Sequence, residues 1–354
     1  MPERRAMADD QAFPRGQPGA SPSKAPSTGL AGTLSRRLAG LGHRVWDDRA
    51  PGSALKTWGR SRLPAPVDRL LTEAWLTAAE RAGEVLTSGN RVAAERLTAA
   101  TRAGAVAYAV VGDSHSRILV RRDHRDDAWL LPAHRLHTGA SARGLGAAAS
   151  RSGTGERLRR DLEALFAVVP RVLVMFGQVD VEFVHPYRRF AAGRLAYEPA
   201  EMAAFLDETV DRYVAAMADR VAPADRSRVD IVSILPPALS DAAWRDGYRN
   251  AHIVALHGQA DAPTDLKGLE IPAASVRTAA HAAFNGRLAQ AAQASGFGYL
   301  DLFNPLLADD VVDPRHLGPA AGRDHHLDHH ATRPVALQRL WSRLSVDPVG
   351  ARGL

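Results

Sequence analysis

Four short stretches of this chain place groups capable of bond-making chemistry among small, turn-forming residues. The first is Gly112-Asp113-Ser114-His115-Ser116. A free serine hydroxyl is a weak nucleophile and acts only beside a base. Ser114 therefore has two readings: a nucleophile exposed on a sharp turn, or, like Asp113, a cap on the next helix. The second stretch, His137-Thr-Gly139-Ala-Ser141-Ala-Arg-Gly144-Leu-Gly146, is a glycine-rich turn entering a helix. Such a turn turns backbone N–H groups toward an anion or oxyanion, although close helix packing asks for the same glycines. The third is Phe176-Gly177-Gln178-Val179-Asp180, in which Asp180 either caps a helix or holds a site residue in place. The fourth runs from Asp313-Pro-Arg-His316 through Asp324-His325-His326-Leu327-Asp328-His329-His330. Histidine is the natural general base near neutral pH, and a carboxylate fixes its tautomer. The same donor types suit a metal ion, or a solvated loop.

These stretches need elements to position them. Ala105–Val111 is a continuous apolar run, as a strand buried on both faces requires, and it stops at Gly112. Similar runs lie at 172–176, 229–235 and 297–302. Helical spacing covers 156–168, 199–220, 275–294 and 331–344 between and after them. Alternation of this kind predicts a parallel sheet covered on both faces, whose ligands bind beyond the C-terminal strand ends. Two of the four polar stretches, those at Gly112 and at Phe176-Gly177, begin where an apolar run stops. Ahead of the sheet, Leu70, Leu71, Trp75, Ala78 and Ala79 mark one apolar helix face, and 91–102 forms a second helix. The organisation expected is a disordered tail over 1–30, a helical lead-in over 31–104, the α/β unit over 105–346, and a short tail over 347–354. An insert from Pro236 to Pro272, carrying Trp244, Tyr248, His252 and His257, has the length of a lid or pocket loop.

Composition narrows the function classes. With 45% apolar and 24% charged residues among 354, the chain reads as an ordinary globular protein. No stretch approaches the eighteen apolar residues of a membrane span. Net charge is +6, but Lys24, Lys56 and Lys267 are the only lysines and aromatics make up 6%, so no basic stacking platform for nucleic acid emerges. Absence of cysteine excludes disulfides, thiolate metal sites and cysteine nucleophiles. A cytoplasmic location is the default expectation.

Taken together, the motifs from Ala105 to Leu344 resemble the SGNH (GDSL-type) hydrolase superfamily. The resemblance implies a flavodoxin-like three-layer α/β sandwich with a five-stranded parallel sheet, here preceded by a helical region. It implies Ser114 as nucleophile, with the N–H groups of Ser114 and Gly139 forming an oxyanion hole, and Asp113, Gly177, Gln178 and Asp180 supporting the site. The family's third block is usually Gly-x-Asn-Asp; here Val179 stands at the asparagine. A side-chain donor to the oxyanion, worth about 3 kcal/mol of barrier, is thus missing. Gln178 and Ser141 are the nearby candidates to replace it. The family's last block is usually Asp-x-x-His-Leu just before the final helix. Asp313-Pro-Arg-His316-Leu has the spacing, whereas His326-Leu327 has the position, with Asp324 two residues before it. Helix position decides for His326 and Asp324, with Asp313 and His316 the alternate pair. The Gly-Asp-Ser-His-Ser form resembles a divergent branch associated with polysaccharide or glycoconjugate modification.

The expected function is therefore a serine-dependent ester hydrolase or acyltransferase acting on O-acyl groups of a glycan or glycoconjugate. It would need no metal or cofactor, and its partners would be small-molecule or glycan acyl substrates, without nucleic acid. A glycan-binding or partner-organising protein of the same fold is the second expectation. A metallophosphoesterase is the third: Asp113-x-His115 suits one, but its usual Gly-Asp-x-x-Asp and Gly-Asn-His segments are missing.

Overall fold

The computed structural model describes residues 65–146, 153–245, 268–319 and 321–345. The expected tails at 1–30 and 347–354, most of the insert (with Tyr248, His252 and His257) and the start of the lead-in lie outside them. Helices α1 (Ala65–Thr87) and α2 (Arg91–Arg102) come first. Strand β1 is Ala105–Gly112, β2 is His124–Arg125 and β3 is Ala128–Leu136. Then follow α3 (Thr154–Phe166), β4 (Val172–Met175), α4 (His185–Ala191), α5 (Pro199–Arg220), β5 (Val229–Val232) and α6 (Asp241–Arg245). Helix α7 (Ala274–Ala294), β6 (Gly298–Leu300), a β7–β8 hairpin (Leu307–Ala308, Val311–Val312) and α8 (Arg333–Leu344) come last among the described residues.

The main sheet has the order β2-β3-β1-β4-β5-β6. Five of these strands run parallel, and the two-residue β2 adds an antiparallel edge. Counting only the parallel strands, the order is 2-1-3-4-5, the flavodoxin-like doubly wound arrangement. All of β4 and β5, and all of β1 except Val106, is buried, so helices cover both faces and the three-layer sandwich expected of an SGNH-type chain is present. The apolar runs read from sequence supply four of the five parallel strands. The fifth, β3, carries Pro132, His134 and Arg135 and lacks the uniform apolar pattern. Beyond the two residues that β2 covers, β3 is an edge strand, the setting in which a proline without an N–H is tolerated.

One continuous core takes in Trp75, Ala82 and Leu97 of the first two helices together with the strands and α8. At the N-terminal end of β5, Asp230 is fully buried and answered by Arg171 (3.1 Å) and by Arg343 of α8 (2.8 Å). Buried charge persists only when paired in this way. The last helix is thereby fastened to the far end of the sheet from the polar stretches.

Candidate active site

Register places the first two polar stretches side by side. Gly112 at the end of β1 faces Leu136 at the end of β3, and its carbonyl accepts the His137 N–H at 2.8 Å. Gly112 has no room for a side chain: a Cβ there would lie 2.3 Å from the Met175 carbonyl oxygen and 2.7 Å from Ser116 Cβ. The chain thus leaves the sheet in a short 3-10 helix over Ser114–Leu119. Asp113 caps that turn, its Oδ1 accepting the His115 backbone N–H at 2.9 Å. The two sequence readings separate here: Asp113 is the cap, and the Ser114 hydroxyl is left for another partner.

That partner is His326, whose Nε2 lies 2.8 Å from Ser114 Oγ. On the other side of the ring, His326 Nδ1 lies 3.0 Å from Asp324 Oδ1, which also accepts the His326 backbone N–H at 3.0 Å. Burial pushes the Asp324 carboxyl up, but the hydrogen bonds from His326 outweigh it and hold it below the usual carboxylate range. An ionised carboxylate can only accept, so Nδ1 carries the ring proton. Nε2 then presents a lone pair to the serine hydroxyl, which is the arrangement a general base needs.

The loop bearing His326 is fixed by a residue the sequence reading did not single out. Arg121 is buried and donates to the Ile118 carbonyl (2.6 Å), the His329 carbonyl, His329 Nδ1 (2.9 Å) and Thr332 Oγ1 (2.9 Å). His329 Nδ1 is therefore an acceptor, and its Nε2–H donates to the Arg117 carbonyl at 2.9 Å. His329 is a tie between the serine turn and the histidine loop rather than a base. In the alternate pair, Asp313 accepts from the Arg315 backbone N–H (2.9 Å) and Nε (2.8 Å). The backbone carbonyl of buried His316 accepts the Asp328 N–H at 2.9 Å.

The second and third stretches meet through Asp180. It is fully buried, and its carboxylate accepts the N–H groups of Ala142 (2.6 Å) and Arg143 (3.2 Å). Burial pushes this carboxyl up to about 7 even against those two donors. Asp180 so holds the glycine-rich turn against the end of β4. Within that turn Gly139 adopts a left-handed φ of 69°, and Ser141 Oγ accepts the Gly144 N–H at 3.0 Å. Gly177 combines a φ of 113° with close contact, since a Cβ would stand 2.6 Å from Phe284. Val179 is buried beside it. Gln178 does not replace the missing asparagine. Its amide donates to Glu182 Oε1 (2.7 Å) and the Leu235 carbonyl (3.3 Å), and its Oε1 accepts Leu235 N–H (2.8 Å). With both N–H bonds spent, Gln178 links the exits of β4 and β5 instead.

Around His326 stand two further imidazoles. Ring centroids lie 4.6 Å away at His115 and 3.8 Å away at His325. Phe183 meets His325 edge-on at 5.4 Å and packs on Trp244 at 5.8 Å. Trp244 in turn lines a cavity shared with Val181, Glu182, Met202, Arg277 and His281. Among the described residues no helix is long and apolar enough to cross a membrane.

No family model matches the chain, and no curated protein matches it. Solved structures do. One is a protein described as an acylhydrolase from Bacteroides fragilis, 14% identical, covering 68% of this chain and 86% of its own, with a TM-score of 0.34. Another is an extracellular lipase from Streptomyces rimosus, 16% identical, covering 66% of this chain and 99% of its own, with a TM-score of 0.34.

Proposed function

We propose that the chain is a serine-dependent acyl-ester hydrolase or acyltransferase, with Ser114, His326 and Asp324 as its catalytic residues. The observation that carries this reading is the polarity of the hydrogen-bonded line from Ser114 through His326 to Asp324. His326 removes the hydroxyl proton as Ser114 Oγ attacks the acyl carbonyl, and Asp324 stabilises the imidazolium that results. The N–H groups of Ser114 and Gly139 bind the developing oxyanion, on the turn that Asp180 pins. His326 then returns its proton to the leaving alkoxide, and water or a sugar hydroxyl, deprotonated in the same way, releases the acyl group. The substrate we assign is an O-acylated glycan or glycoconjugate, as the resemblance implies, with the acyl group directed toward the cavity behind Phe183.

An active-site phosphonate tests this. Phosphonylation of the wild-type protein at Ser114, together with hydrolysis of a short-chain acyl ester, is expected. With Val179 in place of a donor and Gln178 fully committed, a glycan-binding role is the second reading. An unlabelled Ser114 in folded protein would favour it and sink the first.

A further inference from the structure

The imidazoles of His115, His325 and His326 cluster beside Ser114. One ligand nitrogen from each lies within 4.8 Å of the other two. His115 and His325 are buried and His326 is half-buried, so the cluster sits at the wall of the site rather than on open surface. Two of the three already have the setting of metal ligands. His115 Nδ1 lies 3.0 Å from Asp113 Oδ1, and His326 Nδ1 lies 3.0 Å from Asp324 Oδ1. Ligating histidines commonly give the far ring N–H to a carboxylate, which fixes the tautomer and raises the basicity of the other nitrogen. His325 shares that carboxylate, with its Nδ1 3.5 Å from Asp324 Oδ1. Asp113 thus orients His115 rather than joining it as a second ligand.

We propose that His115, His325 and His326 form a three-histidine site for a divalent transition ion of the zinc class, and that its occupation switches off the serine chemistry. Three neutral nitrogens with the fourth position open match the preferences of Zn²⁺. In a tetrahedral site with zinc–nitrogen bonds of about 2.0–2.1 Å, ligand nitrogens stand roughly 3.3 Å apart. The rings therefore close in by at most about 1.5 Å. The switch follows from a shared lone pair. His326 Nε2 faces Ser114 Oγ at 2.8 Å and cannot accept the serine proton while it is bonded to a metal. No bond of the protein is made or broken beyond that exchange. The site itself is independent of the hydrolase reading, whereas the switch rests on it.

The experiment titrates the full chain with Co²⁺, followed by visible absorption, and in parallel adds Zn²⁺ to an ester-hydrolysis assay. One Co²⁺ per chain with tetrahedral d–d bands is expected, retained in Ser114→Ala. His325→Ala and His115→Gln should each weaken binding at least about tenfold. Stoichiometric Zn²⁺ should abolish hydrolysis, and a chelator should restore it. Thermal melting of each variant establishes that it is folded. The site is overturned if Co²⁺ binds folded His325→Ala and His115→Gln as tightly as wild type, or binds none of them. The switch alone is overturned if Co²⁺ binds as described while Zn²⁺ leaves hydrolysis untouched. A wild-type protein that binds Co²⁺ but hydrolyses no ester would sink the hydrolase reading and leave the metal site standing.

Discussion

Two serine–histidine–carboxylate lines leave the same pentapeptide, and they run with opposite polarity. In the first, Ser114 Oγ meets His326 Nε2 at 2.8 Å, with Asp324 on Nδ1. In the second, Ser116 Oγ meets His134 Nε2 at 2.9 Å, with Glu80 of α1 3.7 Å from Nδ1. The Ser116 hydroxyl also lies 2.6 Å from the Asp113 carbonyl oxygen, which can only accept. Its single proton is therefore spent there, and His134 Nε2–H must donate to Ser116. That leaves Ser116 without a base and His134 without a lone pair aimed at it. Ser116 is fully buried and His134 nearly so, whereas Ser114 and His326 reach solvent. Residue types and the serine–histidine distances alone would rate the two lines alike; proton direction and access separate a site from a structural tie.

The strongest test of that contrast is to remove each hydroxyl. Ser114→Ala should lower ester turnover by about 10⁴-fold or more with unchanged melting. Ser116→Ala should keep turnover within a few-fold and instead cost about 1–3 kcal/mol, because buried His134 loses its partner. Equal losses of turnover in the two variants, measured by initial rates and thermal melts, would show that the two serines are not distinct in role.

A smaller effect is expected at the carboxylates. Asp324→Asn removes the acceptor that fixes the His326 tautomer and should reduce kcat by about 10²–10⁴. Glu80→Gln should leave kcat within a few-fold. Glu80 also holds Arg117 Nε at 3.0 Å, so its loss should register in stability. Parallel kcat measurements decide which acid serves the chemistry.

The smallest effect is in pH dependence. Burial holds His134 below the usual imidazole value even though Glu80 pulls it up. Below about pH 6.5 the unfolded chain takes up a proton there that the folded chain does not. Stability contributed by neutral His134 is thus present above that pH and lost as pH falls, by up to about 1.4 kcal/mol per pH unit. His134→Gln should flatten this part of the stability curve in chemical denaturation between pH 7 and 5. A variant curve parallel to that of wild type would show that His134 is not neutral in the fold.

Much of the fold was legible because burial on both faces writes strands as apolar runs, and four of the five parallel strands follow from that alone. Strand β3 did not, since its partly uncovered edge admits Pro132, His134 and Arg135. Ser114 was legible as a residue placed just past a buried strand, and His326 from its position before the last helix. Arg121 carried no local signal. A lone arginine in a loop reads as surface charge, and its role arises from contacts more than 200 residues away in sequence, at His329 and Thr332. The commitment of Gln178 was equally hidden, because Leu235 lies 57 residues further on.

Four of the five parallel strands, the turn after β1 and the residue types available to a serine site are written in the chain's local composition. Which histidine faces which serine, and in which direction the proton points, follows from long-range packing instead. Local composition sets propensity and burial, whereas hydrogen-bond polarity depends on every acceptor that surrounds a hydroxyl. For Ser116 the deciding acceptor is the Asp113 carbonyl; for Ser114 it is the lone pair that Asp324 leaves on His326.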